Sequence, residues 1–441
     1  AIDTSAAEKM PGVRAVLTAF SPGADVPWYR SRGRFYSKLF DERVRHEGDE
    51  VAAVAAETRA QAFDALKAIR VEYEEFAFVL DPREALAPDA PLVHDGGNRY
   101  GEPARYERGD LAAGFAAADV VVEGTYSTAC EIHAPMEVHG SVAKWDGNRL
   151  TVWDSTQGVF VVQQTVAAAL KLPLANVRVI GHYMGGGFGS KLEAGKYTVI
   201  AALLAKRTAR PVKLFLTREE VFLNAGNRPA NTMKVKIGAK KDGTLTAIEF
   251  SSIGSGGAYP NGADTSFLAT DLYTCPNVAA VDENVAINAG RARAMRAPGF
   301  PQGAWALEQA MDELARKLGM DPVALRLANV PRVSQRRGNL PYTSTGLAEC
   351  LSGGAKAFGW ETTREKRKDD GPIRKGYGVA AGMWGYGGGP PATVVVKLYA
   401  DGSVNVNSGA ADIGTGTKTV MAQTVAEELG VPLEKIQIEH A

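Results

Sequence analysis

Cysteine is scarce in this 441-residue chain: Cys130, Cys275 and Cys350 stand far apart, with no CxxC pair. That spacing excludes a zinc ribbon and any iron–sulphur cluster assembled from this polypeptide alone. An excess charge of either sign is also absent, since 50 Lys and Arg balance 50 Asp and Glu, so no global field draws the chain to nucleic acid or to an anionic membrane. The longest charge run, Thr362–Gly371, carries both signs and reads as a solvated connector. No stretch approaches the ~20 consecutive apolar residues of a membrane span, and no charged-then-apolar signal segment opens the chain. The compartment expected is a reducing one, cytoplasmic with the periplasm as the alternative.

What remains is the composition of an ordinary soluble globular protein, 45% hydrophobic and 23% charged, long enough for two or three domains. From Ile2 to about Pro82 strand and helix patterns alternate: RAVLTA, then a strand–helix–strand run from Glu50 with ETRAQAFDALKAI as the amphipathic helix. A Pro-bearing stretch, 83–110, reads as a linker. Beyond it the pattern is α+β with mixed sheets, including an Asp242-Gly243 hairpin and a helix pair broken before Pro322.

An internal repeat organises this second part. QTVAAALKLPLANVRV from Gln164 aligns without gaps on QTVAEELGVPLEKIQI from Gln423, with seven of sixteen positions identical. Each copy follows a strand opened by an Asp-Gly turn, so the unit is turn, strand, loop, helix, "PL" break, strand. Both termini read as interior segments, and completion of the second copy by a further segment or a partner chain is the expectation.

The first copy runs into YMGGGFGSKLE, where four of the five residues from Gly185 to Gly189 are glycine. A dinucleotide-binding turn would need glycine at Ser190 and a carboxylate near Lys206 and Arg207, and a Walker loop would need Lys followed by Ser or Thr. Two readings stay open: a turn that lets strands cross closely, and a backbone cradle whose N–H groups reach an anionic or oxo-bearing ligand. RAMRAPGFPQ, with Arg293 and Arg296 before a Pro-Gly turn, and ADIGTGTK, with Gly414, Thr415, Gly416 and Thr417 at a helix entry, add a fixed cation, hydroxyls and amide donors.

STQG, MGGGFGSK, RAMRAPGFPQ and ADIGTGT, in this order, together with HAPMEVHG from His133, resemble the molybdenum-cofactor subunit of the xanthine oxidase family. The resemblance covers nearly the whole chain and is nearest the bacterial aldehyde-oxidising and N-heterocycle-hydroxylating branch. It implies an α/β hammerhead domain over 1–82, the linker 83–110, and over 111–441 a molybdenum-cofactor-binding domain with duplicated strand–helix–strand modules, each domain lacking a terminal part.

It further implies a molybdenum–molybdopterin cytosine dinucleotide, with the metal held by the pterin and not by side chains. Gln157 matches the catalytic amide at the metal's oxo side; Gly186, Gly187, Phe188 and Gly189 match the backbone that closes over the metal. Arg296 matches the guanidinium at the pterin, and Gly414–Thr417 the loop at the pyrophosphate. Trp384 and Tyr386 are the expected aromatic walls of the substrate pocket.

The expected partners are an iron–sulphur (2Fe-2S) subunit and an FAD subunit, with no nucleic acid. The reaction implied is oxidation of an aldehyde or aromatic N-heterocycle with oxygen from water. Three departures matter. The family's base, a Glu in a Gly-Glu-Pro motif near its carboxyl end, has no counterpart but Gly101-Glu102-Pro103 in the linker. Leu192 stands where purine oxidisers carry Glu, and the arginine those enzymes place ahead of YxxPN is missing before LYTCPN. A purine substrate is therefore disfavoured, and two rivals remain: a non-catalytic scaffold needing a partner chain for the Glu, and a nucleotide-binding α/β protein.

Overall fold

The computed structural model describes residues 1–365, 371–385 and 392–440. Tyr386 and residues 366–370 of the charged connector lie outside the described residues.

Strand Val13–Thr18 pairs antiparallel with Ala52–Ala56, and helix Arg59–Ala68 packs on them. That helix starts where it does because Thr58 and Gln61 form a reciprocal capping box, satisfying two backbone donors that the first turn leaves without partners. A hairpin, Pro27–Ser31 with Arg34–Lys38, carries Tyr29 to the junction with the rest of the chain. There Tyr29 stacks on Tyr259 with ring centroids 4.4 Å apart, and the buried Lys196 ammonium meets Glu50 at 2.8 Å. Leu17, Leu39 and Phe40 share one apolar core with Val152, Val199 and Leu204, so burial as well as charge locks the amino-terminal unit onto its neighbour.

A five-stranded sheet forms the second body, in spatial order Ala104–Arg108, Asn277–Ala286, Leu245–Gly257, Asn231–Ala239, Val120–Thr128. The Asp242-Gly243 turn joins its two central antiparallel strands, with Gly243 at φ +87° where a side chain would be strained. Helix Phe300–Leu318 buries Leu307, Met311 and Leu314, at helical spacing, against Met233, Ile237 and Phe250. Gly319 in the left-handed region ends it, and Pro322, capped by Asp321, starts the next helix.

The repeat is real in three dimensions. In the first module, Gly140–Asp146 and Arg149–Asp154 form a hairpin, helix Val159–Leu170 follows, and Val177–Ile180 returns parallel with Leu150 opposite Val177. The second repeats it: Val395–Leu398 against Val404–Ser408, helix Thr417–Leu429, then Ile436–His440 parallel with Val404 opposite Ile436. Both helices end on a left-handed residue, Lys171 at φ +56° and Gly430 at φ +63°. A Pro then opens a short 3₁₀ turn in each, Leu174–Asn176 and Leu433–Lys435. Only the first module is continued within the described residues: after its glycine loop, helix Lys196–Thr208 packs beneath and Val212–Phe215 closes the sheet beside Gly140–Ala143.

Candidate functional site

The glycine loop leaves the end of Val177–Ile180 and returns to the start of helix Lys196–Thr208. Its conformation is set by positive φ angles at Gly186 (+89°), Phe188 (+53°) and Gly189 (+111°). For Phe188 this is a strained state that surrounding contacts must hold. Those contacts come from two distant segments. The Phe188 carbonyl accepts the Arg296 N–H at 2.8 Å, and the Gly189 N–H donates to Gln157 Oε1 at 2.8 Å. Gln157 is itself fixed by its own N–H, which donates to the Lys191 carbonyl at 2.8 Å.

Side chains have no room here. A Cβ on Gly189 would lie 2.2 Å from the Ala294 carbonyl oxygen, and one on Gly187 2.5 Å from Gln157 Oε1. The structure thus joins Gln157, Gly187, Phe188, Gly189 and Arg296 into one interlocked unit. The Phe188 ring is 48% exposed, and the Arg296 guanidinium is exposed and forms no ion pair among the described residues.

Beneath the loop lies a buried polar layer that the sequence pattern did not single out. Ser190 Oγ donates to the Gly187 carbonyl at 2.8 Å, which leaves it to accept from His139 Nε2 at 2.9 Å. The proton of His139 therefore sits on Nε2, and its buried Nδ1 has no partner among the described residues. Burial, then the Arg293 and Lys191 charges, drive this imidazole far below its ordinary pKa and keep it neutral. Arg293 donates to the Ser190 carbonyl at 2.8 Å, and His133 Nε2 lies 2.8 Å from the Ala294 carbonyl.

Glu137 Oε2 accepts from Ser155 Oγ at 2.6 Å, from the Gly185 N–H at 2.9 Å and from Lys191 Nζ at 2.9 Å. Burial pushes the Lys191 ammonium down; it also opposes ionisation of Glu137, but the three donors outweigh it and hold that carboxyl below its usual value. Behind this layer, burial raises Asp154 to about 6 despite bonds from Ser141 and Thr198.

The Gly414–Thr417 loop opens helix Thr417–Leu429, with Gly414 at φ +98° and Gly416 at φ +76° and open space where their side chains would be. Its amides are engaged: Asp412 Oδ1 accepts from Gly414 at 2.9 Å and Gly416 at 3.3 Å. Thr415 and Thr417 hydroxyls lie 3.1 Å apart. The loop meets the glycine loop through Lys418, whose ammonium donates to the His182 carbonyl at 3.0 Å.

Trp384 packs edge-on against Phe300, centroids 4.9 Å apart, and Phe300 begins the helix that follows the Arg296 turn. Trp384 borders a cleft of about 700 Å³ with Asp271, Tyr342, Cys350 and Met383. A larger cleft, about 1010 Å³, lies between the amino-terminal hairpin and helix Val159–Leu170, with the Glu193–Arg291 ion pair at its edge. Neither cleft is lined by Gln157, Phe188 or Arg296. Gly101-Glu102-Pro103 lies away from this unit, beside Arg32. Among the described residues no group of three His, Cys, Asp or Glu side chains is placed to hold a metal ion, and no helix is long and apolar enough to cross a membrane.

Comparison with known proteins identifies the domains that carry this site. Residues 93–330 and 354–441 match two molybdopterin cofactor-binding domain families, and residues 1–77 match the a/b hammerhead domain of aldehyde oxidase and xanthine dehydrogenase. The chain is 36% identical to the aldehyde oxidoreductase molybdenum-binding subunit of Escherichia coli K12, over 99% of this chain and 59% of that protein. It is 35% identical to the nicotinate dehydrogenase large molybdopterin subunit of Eubacterium barkeri, over 82% of this chain and 88% of the relative.

Among solved structures, the aldehyde oxidoreductase of Desulfovibrio gigas superposes with a TM-score of 0.91 at 30% identity, covering 100% of this chain and 51% of the other. Quinoline 2-oxidoreductase of Pseudomonas putida 86 gives 0.87 at 26%, covering 100% and 61%. The chain thus spans about 59% of the length of the Escherichia coli relative. These matches, with the hammerhead unit and the duplicated strand–helix–strand module, place this chain in the xanthine oxidase family of molybdenum hydroxylases, on its bacterial aldehyde oxidoreductase side.

Proposed function

We propose that this chain binds a molybdenum–molybdopterin cytosine dinucleotide and, within a complex, oxidises an aldehyde, or failing that an aromatic N-heterocycle, with water as the oxygen source. The observation that carries the reading is the interlock of Gln157 and Arg296 with Gly189 and Phe188. When bound, the cofactor supplies the two-electron oxidation of an electron-poor carbon.

The residues present fit that group. The bare backbone at Gly187 and Gly189 lets the loop pack directly on Gln157 and the Ala294 carbonyl with Phe188 exposed beside it, and Arg296, exposed and without an ion pair among the described residues, offers a guanidinium for pterin or phosphate oxygens. Gln157 spends its carbonyl oxygen on Gly189 and keeps its NH₂ as a donor for charge that develops at the metal's oxo side. Gly414–Thr417 opens a 13-residue helix with room above both glycines; since Asp412 holds the Gly414 and Gly416 amides, the groups it would offer a pyrophosphate are the Thr415 and Thr417 hydroxyls.

We assign Trp384 to the substrate approach on its packing against Phe300, which begins the helix after the Arg296 turn, although its cleft is not lined by Gln157, Phe188 or Arg296; Tyr386 lies outside the described residues. We assign the carboxylate base to a further segment or a partner chain, since this sequence has no Gly-Glu-Pro but that at Gly101, and the 2Fe-2S and FAD centres to partner subunits, since the three scattered cysteines cannot assemble a cluster. Aldehydes rank first because the Escherichia coli and Desulfovibrio gigas relatives are aldehyde oxidoreductases; N-heterocycles follow from the nicotinate and quinoline enzymes. The test is oxidation of benzaldehyde and of quinoline by the natively isolated complex with an artificial electron acceptor. Turnover of either supports the proposal; a molybdenum-loaded complex that turns over no aldehyde and no N-heterocycle supports the scaffold reading instead.

A further inference from the structure

We propose that Glu137 is a positioning residue for the cofactor loop, clamping both of its ends through one carboxylate. The inference rests on the cofactor reading of the loop given above. Glu137 Oε2 receives the Gly185 N–H, where the loop begins, and the Lys191 ammonium, where it ends, both at 2.9 Å. It also receives Ser155 Oγ at 2.6 Å, two residues before Gln157. The backbone repeats the tie, because the Glu137 N–H donates to the Gly185 carbonyl at 3.1 Å and the Glu137 carbonyl accepts from Lys191 Nζ at 2.9 Å.

Lys191 is fully buried and its carbonyl holds Gln157 N–H and Thr156 Oγ1, so whatever fixes Lys191 also fixes the backbone from which the Gln157 side chain projects. Packing alone offers no substitute. Glycines contribute no side chains to lock the loop, and Phe188 sits in a left-handed conformation that relaxes unless its flanks are held. A charge-assisted three-donor site is the strongest restraint the neighbourhood provides.

The test separates positioning from stability. Glu137→Leu alone strands the buried Lys191 charge and destabilises the protein; adding Lys191→Met removes both charges together with the acceptor oxygens and restores the unfolding midpoint. A role confined to stability predicts that loop order and metal content return with it. The clamp predicts that they do not: in the double variant, purified as the full chain with its native metal, amide exchange across 181–193 stays about tenfold or more faster than in the parent, as expected for loss of a charge-assisted hydrogen bond, and molybdenum per chain falls to below about half.

Parent-like exchange across the loop overturns the clamp. Accelerated exchange with full molybdenum loading overturns instead the assignment of this loop to the cofactor. Should the double variant fail to fold, Ser155→Ala removes one donor and neither charge; it is expected to speed loop exchange about threefold, and unchanged exchange there again overturns the clamp.

Discussion

The Gln157 carbonyl oxygen accepts the Gly189 N–H at 2.8 Å, and this one bond orients the carboxamide. A backbone donor demands the oxygen, so the NH₂ group is left facing away from the loop. Gln157→Glu keeps the acceptor and removes the donor. Metal content should stay near the parent value while turnover falls about a hundredfold, the usual cost of one lost donor to developing charge. Gln157→Ala removes the anchor too and should lower both. Full turnover in Gln157→Glu would contradict the role given to this amide.

Gly189 and Gly319 both have positive φ, +111° and +66°, yet only Gly189 faces a neighbour, the Ala294 carbonyl oxygen. Gly319→Ala is expected to cost about 1 kcal/mol in a denaturation experiment, from backbone strain alone, with metal loading unchanged. Gly189→Ala must move the loop or the Arg296 segment, and molybdenum content should collapse. Equal loading in the two variants would show that the close approach at Gly189 is not needed.

Asp154 is buried and titrates near 6, above its unfolded value. Between roughly pH 4 and 6 the folded chain holds a proton that the unfolded chain has lost, so this residue's contribution to stability is fully present below pH 4 and lost as the pH rises through 6. Asp154→Asn keeps an acceptor for Ser141 and Thr198 without the ionisation. Its stability relative to the parent should rise by about 3 kcal/mol between pH 4 and pH 8, read from urea midpoints. A pH-independent difference would place the carboxyl's titration outside that window.

The two modules differ at one instructive position. Lys171 and Gly430 occupy the same left-handed helix end, but only glycine does so without a Cβ penalty. Lys171→Gly is expected to stabilise the chain by about 1 kcal/mol in the same urea titration; destabilisation would mean that the Lys171 side chain makes a contribution the geometry does not reveal.

Much of the fold was legible. The "PL" breaks at Pro173 and Pro432 and the Asp-Gly turns are local signals, so the duplicated module could be found by inspection. The helix pair broken before Pro322 follows from the same kind of punctuation. Strand Ala104–Arg108 was not legible. Its alternation, Ala104 and Tyr106 against Arg105 and Glu107, is too short to stand out in a Pro-bearing stretch that reads as the linker 83–110, and pairing with Asn277–Ala286 makes it a strand. At the site, the cluster of glycines was visible but the left-handed turn at Phe188 was not, because Phe is not a residue that announces it.

Glu137 and His139 lie in the HAPMEVHG motif and Ser190 in the glycine loop, but their contacts were not legible for another reason: Glu137 and Lys191 meet across 54 positions, and no periodicity encodes such a contact. Asp412 did carry a signal. An Asp two residues before Gly414 is placed to bind the following amides, and it engages donors that the sequence reading left open for phosphate.

We propose that this chain grips a molybdenum-bearing pterin dinucleotide. Quantifying molybdenum and acid-released cytidine monophosphate in natively isolated, folded protein tests it most directly. The account predicts about one of each per chain, both falling together in Gly189→Ala; folded protein with neither molybdenum nor nucleotide would contradict it.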